Sequence, residues 1–254
     1  TPPRWLYGYE TSVGFTKYLP VKIYAAIVGH FMRMYDYNSA QQVDAWIANS
    51  KNVAARIEKF YRKNSTVIYP PVDVEAIIEA SRGAKKSNYF LVVARLVGAK
   101  GLREVAQAAK DIGFNLKIVG EGFGFADVEE ELKKIAGRNI ELLGRVSDAE
   151  LYKLYAGAKG FLALAKDEDF GITPVEAMAA GTPVIAYNGG GYKETVVDGK
   201  TGLLIEKRDK KTIANAVKKL SKIKWNKKEM QKYVKKFSEE RFRKEIVSFV
   251  DKAL

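Results

Sequence analysis

YFLVVARLVGAKGLREVAQAAKDIGFNLKIVG, residues 89–120, reads as strand, loop, helix and strand. YFLVVA (89–94) and NLKIVG (115–120) are short continuous apolar runs. That is the pattern of strands covered on both faces. A helical stretch near 101–111 lies between them. Working outward, NIELLG (139–144), GFLALA (160–165), TPVIAY (182–187) and GLLI (202–205) repeat the strand pattern. Helical stretches near 125–137, 147–158, 173–181 and 190–197 separate them, and helix fills most of the chain from Lys211 onward. This β-α-β alternation predicts an α/β fold built on a doubly wound, parallel, Rossmann-like sheet.

Upstream, the first forty residues are rich in aromatics, among them Trp5, Tyr7, Phe15, Tyr24 and Phe31. They read as a loop followed by a helix from about Pro20 to Asp44, with the only histidine, His30, at the edge of a packed face. DAWIANS is a short strand. SKNVAARIEKFYRK is a helix in which Ser50 suits the N-cap and Val53, Ile57 and Phe60 recur at helical spacing. STVIYPPVD is a strand ending at a Pro70-Pro71 linker, and VEAIIEASRG is a helix ending at Gly83.

Composition narrows the chemistry. The 254 residues contain no cysteine and one histidine, so neither a disulfide framework nor a thiolate or His-rich metal site is available. No run of about 18 uncharged apolar residues predicts a spanning helix. The net charge is +13, and residues 206–254 hold 17 Lys/Arg against 7 Asp/Glu. Solvated helix faces explain such a tail, and a membrane surface rich in anionic lipid is the next reading. Nothing resembles a helix-turn-helix, a zinc finger or an RNA-recognition aromatic signature, so nucleic acid is not expected as a partner.

In doubly wound sheets, ligands bind beyond the carboxyl ends of the strands. The loops that matter are ARLVGAKG (94–101), GEGFG (120–124), GRVSD (144–148), AKDEDFGIT (165–173) and YNGGG (187–191). In the first, Arg95, Lys100 and Arg103 crowd the start of a helix, where the partial positive charge disfavours cations. A phosphate would resolve the conflict; the alternative is that these side chains reach solvent. In the fourth, Thr173 at the N-cap, Pro174 at N1 and Glu176 at N3 predict a capping box. Glu168 has no such local duty. It sits beside Phe170-Gly171, where the N–H groups of Gly171, Ile172 and Thr173 can face an anion. Asp167 and Asp169 read as solvated loop acids. The glycines 189–191 permit close approach of backbone to a ligand, or a plain flexible loop. GEGFG lacks the spacing of a dinucleotide fingerprint.

EDFGITPVEAMAAGTPVIAYNGGGYKETVVDGKTGLL (168–204) resembles the signature region of glycosyltransferase family 4, whose members are retaining enzymes of the GT-B fold. Glu168 and Glu176 match its E-x7-E motif, and ARLVGAKGL resembles its phosphate loop. LLGRVSDAELYKLYAGA, IANSKNVAARIEKFY and TVIYPPVD fit as well. TPPRWLY at the start, taken with the last two, is similar to mannosyltransferase-like members that act on polysaccharides or lipid-linked glycans. Ala165-Lys166-Asp167 depart from the usual lead-in to the first glutamate.

The resemblance implies a site. Arg95 and Lys100 would bind the donor diphosphate and stabilise the leaving group. Glu168 would hold the sugar. Glu176 would bind the ribose, and Gly171, Ile172 and Thr173 would offer backbone N–H groups. Arg145 and Val146 would border the base, with Phe170, Gly120 and Gly122 completing the donor-binding set. No metal or bound cofactor is implied, only a nucleotide-sugar donor such as a GDP- or UDP-hexose. The acceptor would be a glycan or a lipid-linked glycan, reached from the cytoplasm or peripherally at the inner membrane face. Residues 1–72 are expected to be the C-terminal part of an incomplete, acceptor-side domain. Residues 73–236 are expected to be the nucleotide-sugar-binding domain, and residues 237–254 a helix packing back on the N-terminal part. One rival reads Asp167-Glu168-Asp169 as a D-x-D metal motif. Another makes the chain a non-catalytic nucleotide-sugar-binding module, or a half-enzyme needing a partner domain.

Overall fold

The structure, a computed structural model, describes residues 2–9, 18–122 and 126–253. Phe15, Gly124 of the Gly-rich turn, and residue 125 at the start of the expected 125–137 helix lie outside them. The chain begins with α1 (Leu19–Gln41), β1 (Ile47–Ala48), α2 (Lys51–Tyr61), β2 (Thr66–Val67) and α3 (Val74–Ala80). Strand and helix then alternate through β3 (Phe90–Val93), α4 (Leu102–Ile112), β4 (Leu116–Val119), α5 (Ala126–Ile135), β5 (Ile140–Gly144) and α6 (Asp148–Gly157). The alternation continues through β6 (Gly160–Ala163), α7 (Ile172–Ala179), β7 (Val184–Tyr187), α8 (Tyr192–Thr195) and β8 (Gly202–Ile205). Helices α9 (Lys210–Lys222), α10 (Lys227–Val234) and α11 (Glu239–Ala253) follow.

Strands β3 to β8 form one parallel sheet in the order β5-β4-β3-β6-β7-β8. The chain builds outward from β3 to β5, then returns to β6 and builds the other way. The reversal falls between β3 and β6, which pair Phe90 with Gly160 and Leu91 with Phe161. A crevice opens at such a point, outside the carboxyl ends of the strands.

Both sheet faces are covered, which is why the strands carry unbroken apolar runs. Side chains alternate between faces along each strand. Leu91, Val119, Phe161, Ala163 and Val184 pack under α3, α6, α7 and α10, against Ile77, Tyr155, Val175, Met178 and Val234. Phe90, Val92, Ile118, Leu162 and Ile185 pack under α4, α5 and α9, against Leu102, Val105, Leu132, Ile213 and Leu220.

The N-terminal part has a smaller core. β1 and β2 pair in parallel, and Ala40, Ala48, Val53, Ile57 and Tyr61 cluster beside them. The Ser50 hydroxyl accepts the Val53 N–H, as the sequence predicts. α1 is attached through its C-terminal half. Its Asp36 accepts hydrogen bonds from Tyr7 and Tyr61 at 2.7 and 2.8 Å, and Ala40 is buried. The rest of α1 stands out from the body, with Tyr24, Ile27, Phe31 and Tyr35 all more than half exposed. His30 is exposed too, rather than set at a packed edge, because no element among the described residues covers that part of the helix. Among the described residues no helix is long and apolar enough to cross a membrane.

Candidate active site

A cavity of about 620 Å³ opens at the reversal point of the sheet, beyond the carboxyl ends of β3 and β6. Its walls include Arg95, Lys100, Glu168, Phe170, Gly171, Ile172 and Thr173. Seven residues singled out from the sequence therefore share one cavity.

On the β3 side, the chain leaves the strand at Ala94 and makes a short 3-10 turn, Gly98–Lys100, before α4. Gly101 enters α4 with φ 70°, a left-handed conformation that glycine adopts freely. This loop is tied to its neighbours along the carboxyl edge. The Leu96 N–H bonds the Glu121 carbonyl at 3.0 Å, and the Gly120 N–H bonds the Gly144 carbonyl at 2.8 Å. Gly120 has φ 140°, and a side chain there would strike the Ala94 carbonyl. It serves as backing for the loop that carries Arg95. Gly120, Gly122, Arg145 and Val146 are not on the cavity wall; they follow β4 and β5, one and two strands further along the same edge.

Two of the three cations that crowd the start of α4 have protein partners. The Lys100 ammonium lies 2.5 Å from the Glu168 carboxylate, and each side chain is about one-fifth exposed. Arg103 bonds Glu131 through Nε at 3.0 Å, on the surface. Arg95 is exposed and makes no ion pair among the described residues. The residues expected at the phosphate end and the sugar end of the site thus pair with each other.

On the β6 side, the predicted capping box does not form. The N-cap is Gly171, at φ 94° and ψ 70°, and Ile172 is already the first helical residue. Thr173 and Pro174 therefore occupy the second and third helical positions. The left-handed turn at glycine starts α7 earlier than the Thr-Pro signal suggests. Pro174 remains compatible, because a first-turn N–H has no helical acceptor to lose. The N–H groups of Gly171, Ile172 and Thr173 find no acceptor among the described residues, so an end of α7 faces the cavity with open donors. Glu176, released from capping, points toward α6 instead. It accepts a hydrogen bond from the Tyr155 hydroxyl at 2.6 Å, away from the cavity wall. Burial raises its pKa, and Tyr155 donation opposes that rise.

Asp169 is not a solvated acid. Its carboxylate lies 2.7 Å from Arg56, which is 4% exposed, and 2.8 Å from Arg4. Its carbonyl accepts the Ser50 hydroxyl at 2.6 Å. The N-terminal part thereby grips the backbone on which Glu168 stands. The glycines 189–191 hold the same backbone from the other side. The Gly191 N–H bonds the Glu168 carbonyl at 2.7 Å, and a side chain on Gly190, at φ 54°, would collide with that carbonyl. Tyr192, buried on the cavity wall, directs its hydroxyl toward Glu168 at 3.5 Å. Burial first, and then the Glu168 charge, raise its pKa well above the ordinary phenol value.

Three residues that matter here are not singled out by the sequence reading. Arg56 lies among Val53, Ile57 and Phe60, so a charge on the buried stripe of a helix was a usable signal. Tyr192 and Glu194 gave none, because what they touch is far away in sequence. Glu194 accepts the N–H groups of Lys51 and Asn52 at 2.9 and 2.8 Å, and so caps α2 from α8.

Comparison with known proteins shows the family and the fold. The profile of the family described as glycosyl transferases group 1 matches residues 73–239. The chain is 32% identical over 184 residues to an uncharacterized glycosyltransferase of Methanocaldococcus jannaschii, covering 72% of this chain and 50% of that protein. It is 33% identical over 103 residues to a lipopolysaccharide core biosynthesis mannosyltransferase of Rhizobium leguminosarum bv. viciae, covering 40% of this chain and 29% of the relative. The chain thus spans half or less of the length of these relatives. The Anabaena HepE structure in complex with UDP and glucose superposes with a TM-score of 0.71 at 22% identity, covering 86% of this chain and 66% of that one. That likeness is one of fold, and the fold is the parallel, doubly wound sheet of GT-B glycosyltransferases. The chain belongs to the glycosyl transferases group 1 family.

Proposed function

We propose that this chain is the donor-binding part of a retaining, family 4 glycosyltransferase. It would transfer a hexose, with mannose favoured, from a GDP- or UDP-sugar to a glycan or lipid-linked acceptor. The observation that carries this reading is the Lys100–Glu168 pair, set beside Arg95 and the open end of α7 on one cavity. An entering diphosphate offers Lys100 a stronger partner than a single carboxylate does. Lys100 turns to the phosphates, joined by Arg95 and the N–H groups of Gly171, Ile172 and Thr173. Glu168 is thereby freed to accept hydrogen bonds from the sugar hydroxyls. As the bond between the anomeric carbon and the phosphate oxygen breaks, those cations and N–H groups receive the charge that collects on the departing diphosphate. The structural neighbour solved with UDP and glucose supports a nucleotide-sugar ligand, and the mannosyltransferase relative supports mannose.

In this reading Glu176 meets the ribose, and Phe170, Gly120, Gly122, Arg145 and Val146 flank the nucleotide along the carboxyl edge. Residues 73–236 act as the donor unit, while residues 1–72 and the helix in 237–254 face the acceptor. Arg95 and Lys100 supply the positive charge that a metal would supply elsewhere. The exposed apolar side chains of α1 and the basic stretch 206–254 support peripheral contact with anionic lipid. Absence of flotation with anionic liposomes at low salt would remove that part.

The deciding measurement is thermal stabilisation by GDP, UDP and ADP. At a hundredfold excess over Kd, one of them should add about 2.7 kcal/mol. The gain should vanish in the Arg95→Ala/Lys100→Ala variant. No stabilisation by any of the three would overturn the reading. Binding without turnover, even with an acceptor extract, would assign the chain to a binding module.

A further inference from the structure

A second cavity, of about 400 Å³, opens on the opposite edge of the sheet, where β6 and β7 begin. Four-residue strands place that edge roughly 13 Å from the carboxyl ends. Three lysines line it: Lys86 from the segment before β3, Lys159 between α6 and β6, and Lys227 at the start of α10. No Asp or Glu lines it, and no carboxylate among the described residues pairs with any of the three. The partners the structure does provide are neutral. Lys86 donates to the Thr182 hydroxyl at 2.5 Å, and Lys227 donates to the Ser81 carbonyl at 2.9 Å. Lys227 is held in place by its stem, which lies over Gly181 where any side chain would displace it. The remaining wall is apolar apart from Ser221, with Trp225, Leu220 and Pro183 prominent.

Such an arrangement has an electrostatic cost. Lys86 is exposed as a residue, but its ammonium lies against the buried Thr182 hydroxyl; desolvation there, followed by the charge of Lys227, pushes its pKa down to about 8. Two ammonium groups are held within each other's field with no carboxylate among the described residues to neutralise them. A ligand with two negative charges would relieve that repulsion and offer acceptors to the lysines of this wall. An apolar or ring-bearing portion would meet the indole of Trp225.

We propose that the cavity between Lys86, Lys159 and Lys227 is a binding site for a phosphomonoester dianion, separate from the candidate active site. The bound dianion would join three segments distant in sequence and so stabilise the folded domain.

The test is thermal stability with inorganic phosphate, and then with glucose 6-phosphate, at constant ionic strength held with chloride. Phosphate also suits the cavity beyond β3, so the protein used carries Arg95→Ala/Lys100→Ala. In that background a millimolar phosphomonoester should raise the melting temperature by about 5 °C when saturating. Adding Lys86→Gln/Lys227→Gln should abolish the rise, and Lys159→Glu alone should weaken binding at least tenfold. Trp225 fluorescence should change with glucose 6-phosphate, and the change should vanish in Trp225→Phe. Vesicles containing phosphatidic acid present the same dianion on a lipid. Their capture, lost in the lysine variant and not competed by the soluble ester, would name a lipid headgroup as its source. An equal rise with chloride alone would show simple screening and overturn the proposal. So would a rise that survives Lys86→Gln/Lys227→Gln, or one seen only when Arg95 and Lys100 are intact.

Discussion

Glu176 keeps a half-buried carboxylate against the Tyr155 hydroxyl, and its pKa is raised in the folded chain. The sign of the consequence is fixed. Well below the ordinary value of 4.5 both folded and unfolded chains hold the proton, and the residue contributes nothing to the balance. As pH rises through 4.5 the unfolded chain ionises first, so the folded state loses stability through this group. Glu176→Gln removes that loss while leaving an oxygen to accept from Tyr155. Denaturant unfolding should show the variant more stable than the parent at pH 7, with the difference shrinking toward pH 4. Nucleotide affinity should fall if the ribose reading holds. Asp169 gives the opposite kind of case, a partly buried ion pair. Arg56→Met strands a carboxylate that retains only Arg4, and should cost about 3 kcal/mol. Adding Asp169→Asn should recover part of it, and a double-mutant cycle measures how much. Additivity of the two changes would show that the pair is not coupled. Asp169 was misread from the sequence because a charged residue in a Gly-bordered loop resembles a solvated one. Its partners lie more than a hundred residues away.

At the scale of elements, α2 depends on a cap that is not its own. Ser50 satisfies the Val53 N–H, and Glu194 satisfies those of Lys51 and Asn52. Glu194→Ala leaves two N–H groups at a helix start without their carboxylate. The expected loss is about 2 kcal/mol. Hydrogen exchange at Lys51 and Asn52 should accelerate, while Val53 stays protected by Ser50. Unchanged exchange at all three would show that Glu194 is not the cap. The elements themselves were legible in the sequence. Six apolar runs became six strands, each within two residues of the expected bounds, because strands buried on both faces admit little else. The start of α7 was not legible. Two signals competed there, and the glycine turn at Gly171 prevailed over the Thr-Pro-Glu pattern.

For the molecule as a whole, the sheet order follows from alternation and short connections, and the place of the cavity follows from the sheet order. The clasp between the N-terminal part and the loop carrying Glu168 does not follow from any local pattern. The electrostatic design carries a test at this scale. If Arg95 and Lys100 supply the positive charge, as proposed, a chelator should leave nucleotide stabilisation unchanged. Loss of stabilisation on chelation, restored by manganese, would favour the metal reading of Asp167-Glu168-Asp169.

The Val72 N–H bonds the Phe237 carbonyl at 2.9 Å, and the Phe237 ring packs against both Tyr69 and Phe170. During synthesis this seam cannot close until residue 237 has left the ribosome. At ordinary elongation rates that is on the order of ten seconds after Val72 emerges. Through that interval the Pro70-Pro71 connection and Tyr69 lack the Phe237 side of their packing. A nascent chain is then open to proteases and chaperones at that point, after most of the sheet has already been made.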